Sequence, residues 1–141
     1  MQTSAIEVQF ARAVAAAGLR MTAARKGIFA VLFSAERPLQ IAEIVQQIPD
    51  VHFVSVYRSI DALLKAQLIK QVPSGFKNRF ELSDMFKPHH HHITCENCGD
   101  VKEIASDDVE KIIQHLARQS SFRHTRHHFE AFGICSNCKN K

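Results

Sequence analysis

The chain has 141 residues, of which 45% are hydrophobic and 23% charged, and its formal net charge is +4. This length suits one domain or two small ones, and the composition is that of an ordinary globular protein. No apolar run reaches the roughly 18 residues that a transmembrane helix needs, and the N-terminus lacks the basic start of a secretory signal. These features exclude a membrane-spanning protein and favour a cytoplasmic one.

The first part of the chain is predicted to contain four helices and a hairpin. Apolar residues at helical spacing predict a first helix that ends at Gly18, and Thr22 is placed to cap a second helix. The stretches "QIAEIVQQI" (40–48) and "HFVSVYRSIDALLKAQLI" (52–69) predict a short third helix and a longer fourth one. "IKQV" and "KNRFEL", separated by a turn at 73–75, predict two strands.

A short helix, a tight turn and a longer helix with polar residues near its start are typical of a helix-turn-helix, and the hairpin after it is typical of a wing. Ser55, Tyr57 and Arg58 lie off the apolar stripe of the fourth helix, where they can reach base edges. Basic residues of the hairpin can meet phosphates: Lys70, Lys77 and Arg79. A protein-binding domain, with Tyr57 in its core and Arg58 as a solvated charge, is the alternative interpretation.

Four cysteines form two C-x-x-C pairs, Cys95 with Cys98 and Cys135 with Cys138, with 36 residues between the pairs. Disulfides are not expected in a reducing cytosol. Each pair can present two thiolates, and two pairs complete a tetrahedral zinc ion. One pair alone could be redox-active, and four buried unliganded thiols are the remaining alternative. Two pairs without a thioredoxin-like pattern favour structural zinc.

The second part of the chain is predicted to form a small α/β domain. "HHITC", "DVKEI" and "FRHTRHHFEAFGI" (122–134) have the composition of strands, and "SDDVEKIIQHLARQ" (106–119) has a helical apolar stripe with Ser106 or Asp107 as its cap. The stability of so small a domain would depend on the cysteine-bound zinc. The fold class is therefore α+β, with a winged-helix domain over 1–84 and a metal-binding α/β domain over 85–141.

Charge and metal-ligating residue types support this division. Residues 1–87 hold 11 Lys and Arg against 7 Asp and Glu, whereas residues 88–141 hold 7 of each. All four cysteines and eight of the nine histidines lie in the second part. The pattern predicts a basic module that binds a polyanion, followed by a neutral module that binds metal.

Three stretches resemble the ferric uptake regulator superfamily of bacterial metalloregulators. They are "GLRMTAAR" (18–25), "VSVYRSIDALLKAQLI" (54–69), and "HHHHITCENCGDVKEI" (89–104) together with "FEAFGICSNC" (129–138). The resemblance implies a homodimeric repressor of metal-homeostasis genes that binds double-stranded, palindromic operator DNA and senses zinc or iron(II). It also implies that Arg20, in the "GLR" segment, approaches the DNA.

Four consecutive histidines, residues 89–92, precede the first C-x-x-C pair. Side chains alternate between the two faces of a strand. His90 and His92 therefore share one face, and His89 and His91 share the other. Each pair can serve a different metal ion.

The resemblance assigns the second and fourth histidines to a regulatory hinge site, whose predicted ligands are Glu81, His90, His92 and Glu103. Asp84 is an alternative to Glu81. Family members usually add a histidine from before the second helix, where this chain has Pro38. His52 is the alternative ligand from the first domain.

The resemblance assigns the other two histidines to an inner site in the second domain, whose predicted ligands are His89, His91, Glu110 and His127. The family commonly has Asp at the third position of the run, where this chain has His91. Three imidazoles and one carboxylate fit four-coordinate zinc. His115, His124 and His128 are predicted to face solvent.

Two other functions are alternatives to a metal-responsive regulator. In a peroxide-sensing repressor of the same superfamily, iron-catalysed oxidation of a histidine ligand inactivates the protein. Such sensors favour Asp in the hinge site, whereas the carboxylates predicted here are Glu81 and Glu103. A zinc hydrolase would need an open coordination position and a substrate cleft, and the sequence has no HExxH-type motif. We therefore expect a regulator and not an enzyme.

Overall fold

The computed structural model describes residues 2–74, 77–104 and 107–140. Its contacts divide the chain into two compact units, Met1–His89 and His90–Lys141. The sequence placed the boundary after residue 84, but the ring of Phe86 is buried and lies 5.3 Å from that of Phe10, centroid to centroid. The segment after residue 84 therefore groups with the first unit.

In its described residues, the first unit has these helices and strands: α1 (Gln2–Ala16), α2 (Ala23–Ser34), α3 (Ile41–Gln46), α4 (Phe53–Lys65), β1 (Ile69–Ser74) and β2 (Lys77–Leu82). The strands pair antiparallel, and an isolated bridge between Leu39 and Phe80 extends the sheet on the other side of β2. Four helices with this hairpin form a winged helix, as the fold class predicted. β1 continues through Ser74, into the predicted turn, whose Gly75 lies outside the described residues.

Local sequence signals explain where the first helices begin and end. Gly18 has φ of +74°, and the backbone N–H of Leu19 donates to Val14 at 3.1 Å, which closes α1 in the left-handed cap that glycine favours. Thr22 precedes α2, and its hydroxyl oxygen accepts a hydrogen bond from the backbone N–H of Arg25 at 3.3 Å. This bond satisfies one of the helix's free N–H groups.

The core of the first unit is continuous and apolar. It joins α1, α2, α3, α4 and the hairpin through side chains that are almost fully buried, among them Phe10, Ile28, Leu32, Ile44, Val56, Leu63 and Leu82. α4 turns Val56, Ile60 and Leu63 into this core. The other face of α4, with Ser55, Tyr57 and Arg58, is exposed.

The second unit contains β3 (His91–Cys95), β4 (Val101–Ile104), α5 (Asp107–Gln119), β5 (Glu130–Gly133) and a short helix, α6 (Ser136–Lys139). Its sheet has the order β4-β3-β5, with β3 antiparallel to β4 and parallel to β5. α5 is the crossover that a parallel pair requires. α6 was not predicted, and Ser106, one of the two predicted caps of α5, lies outside the described residues.

The strand predicted over 122–134 is wrong for its first eight residues, because only Glu130–Gly133 is a strand. β3 has five residues, and its ladder pairs His92–Cys95 with Glu130–Gly133. Among the described residues, no strand pairs with residues 122–129. Aromatic and β-branched composition alone did not reveal this missing partner.

The second unit buries little apolar surface. Among its described residues, the buried apolar side chains are those of Cys95 and Val101. α5 buries none of its residues, and its Ile112 and Leu116 side chains are 59% and 54% exposed. In the part of the chain that the structure describes, no helix is long and apolar enough to span a membrane.

Candidate metal centres and DNA-binding surface

The four cysteines meet at one end of the second unit's sheet. Cys95 ends β3, and Cys135 immediately precedes α6. Because β3 and β5 are parallel, with Cys95 opposite Gly133, the two C-x-x-C turns leave the same end of the sheet. The four sulfur atoms lie within 4.8 Å of one another.

The spacing of these sulfurs fits zinc. Sγ of Cys98 and Sγ of Cys135 are 3.7 Å apart, and none of the four cysteines is in a disulfide. Tetrahedral zinc with Zn–S bonds of about 2.3 Å requires neighbouring sulfurs roughly 3.8 Å apart. The donor set is therefore that of a structural zinc site.

The thiols differ strongly in acidity. Backbone N–H groups of Cys98 and Cys135 donate to the sulfur of Cys95, the latter at 3.3 Å, and lower the pKa of Cys95 to about 6. The hydrogen bond with Cys135, together with burial, raises the pKa of Cys138 to about 12. Cys95 is therefore the thiol that ionises most readily, whereas the closely spaced sulfurs disfavour negative charge on Cys138. A divalent cation is the group that relieves this crowding.

A second cluster joins β3, α5 and the segment before β5. Nε2 of His91 lies 2.7 Å from Oε1 of Glu110, and Nε2 of His127 lies 2.9 Å from the same oxygen. The two Nε2 atoms are 3.4 Å apart. Zinc with Zn–N bonds of about 2.0–2.1 Å needs ligand atoms roughly 3.3 Å apart. The two Nε2 atoms are therefore spaced to bind one zinc ion, which would take the place of their hydrogen bonds to Glu110.

A third group contains His90, His92 and Glu103. The ring centroids of His90 and His92 are 4.9 Å apart, and Nε2 of His90 lies 3.7 Å from Oε1 of Glu103. His92 is also the ladder partner of Glu103 across β3 and β4. Adjacent residues His91 and His92 thus take different neighbours, as expected from the alternation of side chains along a strand.

The remaining predicted ligands lie in the first unit. Glu81, on β2, is 2% exposed, and its carboxylate is 3.2 Å from Nζ of Lys70. Asp84 is 2.7 Å from the same ammonium and 2.9 Å from Nδ1 of His89. His52 caps α4, since its Nδ1 accepts a hydrogen bond from the backbone N–H of Val54.

The ammonium of Lys70 is held by two carboxylates. Burial opposes its charge, but the hydrogen bond to Asp84 and the charge of Glu81 outweigh this and raise the pKa of Lys70. Arg79 is buried and lies 3.7 Å from Glu43. Of the three wing cations predicted to meet phosphates, Lys77 is the one that the structure leaves exposed.

The outer face of α4 carries the predicted DNA-contacting residues. Tyr57 is 49% exposed, which excludes the core interpretation, and Ser55 and Arg58 are exposed too. Ser55 and Arg58 line an open depression with Thr22, the N-cap of α2, and Arg25 of α2. Arg20 is exposed, and its carbonyl oxygen accepts a hydrogen bond from the guanidinium of Arg25. The depression therefore combines cations with a helix N-terminus, which suits a phosphate.

The sequence did not predict the exposure of Phe53 on α4 or the contact of His124 with the inner cluster. Phe53 begins α4 and is 54% exposed, and its ring lies 6.4 Å from that of Tyr57. The four-residue spacing of these aromatics on one helix was the available signal. His124, predicted to face solvent, is partly buried, and its Nε2 lies 3.1 Å from Nδ1 of His127.

A winged helix followed by a unit of clustered thiols and imidazoles defines a metal-responsive DNA-binding protein. The model of the ferric uptake regulator family matches residues 16–132. The chain belongs to this family, whose members are metal-dependent DNA-binding repressors and not enzymes.

Individual relatives agree with this assignment. The ferric uptake regulation protein of Campylobacter jejuni is 28% identical over 140 residues, covering 94% of this chain and 88% of that protein. The peroxide-responsive repressor PerR of Staphylococcus epidermidis is 30% identical over 132 residues, covering 87% and 83%. The Helicobacter pylori ferric uptake regulator Fur, whose structure reveals three functional metal-binding sites, superposes with a TM-score of 0.79 at 25% identity, covering 96% of this chain and 93% of that one.

Proposed function

We propose that this protein is a homodimeric repressor that acts in the cytoplasm and binds palindromic operator DNA when zinc or iron(II) occupies its histidine sites. The observation that carries the proposal is the division of the histidine run. His90 lies with His92 and Glu103, whereas His91 lies with Glu110 and His127. Two donor sets can hold two ions, in addition to the one that the cysteines can hold.

The cysteine cluster takes the structural role in this proposal. Cys95, Cys98, Cys135 and Cys138 hold one zinc ion, and four thiolates leave no position open for another ligand. This ion ties β3 to α6. It compensates for the little apolar surface that the second unit buries.

The hinge site takes the regulatory role. Its proposed ligands are Glu81, His90, His92 and Glu103, with Asp84 as the alternative to Glu81. Glu81 belongs to the first unit and the other three to the second. A metal bound by all four would favour one arrangement of the two units. The metal would then promote repression to the extent that it binds the DNA-competent arrangement more tightly than the others.

The inner site takes a stabilising role. Its proposed ligands are His89, His91, Glu110 and His127, and the last three connect the sheet to α5 and to the segment before β5. Imidazole and carboxylate ligands suit zinc, and they also suit iron(II). Donor type therefore does not distinguish zinc from iron(II) at this site, and titration with each metal is needed to identify the ion.

DNA contacts are proposed for Arg20, Ser55, Tyr57 and Arg58. The exposure of these residues supports the proposal, since base and phosphate contacts require free side chains. Two copies related by a twofold axis would place their α4 helices in successive major grooves, about 34–36 Å apart.

The dimer is supported by the apolar surface of the second unit. Ile112, Leu116, Phe132 and Ile134 are each more than half exposed. Exposed apolar surface of this kind is typical of subunit interfaces, and family members act as dimers on operator DNA.

Paired double variants test the assignment. His90→Ala with His92→Ala should abolish metal-dependent DNA binding and leave the fold intact. His89→Ala with His91→Ala should chiefly lower thermal stability or dimerisation. DNA affinity is measured against free zinc and free iron(II), and melting temperature is measured for each protein. His115→Ala with His128→Ala, two exposed histidines, is the matched control.

If both double variants lose the same property to the same degree, the histidine run serves one site and the proposal is wrong. Hydrogen peroxide separates a metal sensor from a peroxide sensor of the same family. The iron-loaded metal sensor should keep its DNA affinity after treatment. A peroxide sensor would lose affinity as a histidine ligand is oxidised.

A further inference from the structure

We propose that His124 is a positioning residue for the inner site. Its Nε2 accepts a hydrogen bond from Nδ1–H of His127 and thereby directs the opposite ring nitrogen of His127 towards the metal. This inference rests on the proposed inner site, because it assigns His124 to the orientation of one of that site's ligands.

The two nitrogens of His127 have different neighbours. Nε2 lies 2.9 Å from Oε1 of Glu110 and 3.4 Å from Nε2 of His91, so it belongs to the donor cluster. Nδ1 lies 3.1 Å from Nε2 of His124, and the two rings are 5.1 Å apart and tilted by 36°. His124 therefore meets the nitrogen of His127 that is not in the cluster.

This arrangement determines the tautomer of His127 when a metal is bound. A neutral imidazole carries one proton, and the nitrogen that coordinates a metal must be the one without it. Coordination through Nε2 places the proton on Nδ1, which then needs an acceptor. Nε2 of His124 lies 3.1 Å from Nδ1 of His127, which is close enough for it to accept this hydrogen bond.

The backbone explains why such a partner is useful. Glu110 lies on a regular helix and His91 on a paired strand, so both have fixed backbones. His127 lies in residues 122–129, which form neither helix nor strand. The hydrogen bond to His124 therefore restricts the ring of His127, whose backbone is not held by a strand ladder. Loss of such a hydrogen-bond partner of a metal ligand typically lowers metal affinity about 10–100-fold.

His124 is not assigned to the ligand set itself. Its Nε2 faces the side of His127 that points away from Glu110, and an ion at that position would lack the carboxylate. Nor is it a plain surface histidine, since its ring is partly buried against His127. An acceptor outside the ligand set is the role that fits both observations.

Two variants of His124 separate hydrogen bonding from packing. His124→Leu removes the acceptor and puts an apolar side chain of similar size in its place, whereas His124→Gln provides an amide oxygen that can accept a hydrogen bond. Inner-site zinc affinity is measured by chelator competition on full-length dimer that retains its cysteine-bound zinc. We expect about 10–100-fold weaker binding for His124→Leu and recovery to within a few-fold of the unchanged protein for His124→Gln.

Two further readouts distinguish positioning from general stability. The Nδ1–H resonance of His127 in the nitrogen–proton NMR spectrum of the zinc-loaded protein should shift and exchange faster in His124→Leu. The melting temperature of the protein without inner-site zinc should stay unchanged. His128→Leu, which changes an exposed histidine of the same segment, should alter neither zinc affinity nor the resonance.

Several outcomes overturn the inference. An affinity of His124→Leu equal to that of the unchanged protein removes it. A loss of affinity that His124→Gln shares, with an unchanged Nδ1–H resonance, would show a packing role instead. The variant His127→Ala shows whether a negative result concerns the whole inner site or His124 alone. If it does not release one equivalent of zinc, the proposed inner site is wrong and the inference falls with it. If it does release zinc, failure of the His124 variants concerns His124 alone.

Discussion

The two units of this protein are stabilised in different ways. The first has a continuous core of side chains such as Ile28, Leu32 and Leu63. In the described residues of the second, the buried side chains are mainly polar, among them His91, His92 and Thr94, and Cys95 and Val101 are the apolar ones. If the cysteine cluster binds zinc as proposed, the stability of the second unit should vary with free metal concentration. The fold of the first unit is expected to be insensitive to metal, because its core is apolar.

Removal of the cysteine cluster is expected to have the largest effect. Cys95→Ser with Cys98→Ser should abolish the structural zinc, whose binding is worth about 10–16 kcal/mol in zinc-finger peptides. The second unit should unfold while α2 and α4 remain protected. Hydrogen exchange resolved by residue, together with zinc content, measures this. Ser136→Ala, at the start of α6, is the control. Continued protection of β3 in the double variant would show that the two units do not differ as described.

A core substitution is expected to have the opposite distribution. Leu63 is fully buried, so Leu63→Ala should lower the free energy of unfolding of the first unit by about 2–5 kcal/mol. Zinc content should not change. Denaturant unfolding followed at first-unit amides gives the value. Val8→Ala, at a side chain 49% exposed, should stay within about 0.5 kcal/mol. Loss of zinc from Leu63→Ala would contradict the independence of the units.

A DNA-contact substitution separates binding from folding within the first unit. Arg58→Ala should weaken operator binding by about 1–3 kcal/mol if the guanidinium makes a bidentate base contact. The melting temperature should not change, because Arg58 is exposed. Fluorescence anisotropy at fixed salt measures the affinity, with Arg12→Ala on α1 as the control. An unchanged affinity would leave Arg58 a surface charge.

The smallest expected effect concerns Glu43 of α3. Its carboxylate accepts hydrogen bonds from Arg37 and from the backbone N–H of Gln40, at 2.5 and 2.8 Å, and the Arg37 bond is the main reason that the pKa of Glu43 lies below its ordinary 4.5. A lowered pKa adds stability above pH 4.5, and this stability is lost as pH falls through the folded value.

Glu43→Gln should therefore cost about 0.5–1.5 kcal/mol at neutral pH. The difference between the variant and the unchanged protein should shrink on acidification. Unfolding of the first unit by denaturant, followed at two pH values, measures both quantities. A difference that is constant with pH would show that the charge of Glu43 does not stabilise α3.

Sequence predicted the fold where signals are local. Gly18 marks a helix end through its backbone conformation and Thr22 through its side-chain hydroxyl, and each cysteine pair contains its ligand spacing within four residues. The strand predicted over 122–134 failed at residues 122–129, because strand formation needs a neighbour and β3 is too short to supply one there. His124 was missed for the same reason. Its contact with His127 depends on the irregular path of that segment, which a strand prediction cannot represent.

The parallel pairing of β3 with β5 has a topological consequence. The two C-x-x-C turns leave the same end of the sheet, so a zinc ion between them would close a ring of chain that contains β4, α5, residues 122–129 and β5. A protease that cuts once inside this ring would leave two fragments joined by the metal clasp. A chelator that removes the zinc would then let the two fragments separate. The metal, rather than an unbroken backbone, would hold the unit together.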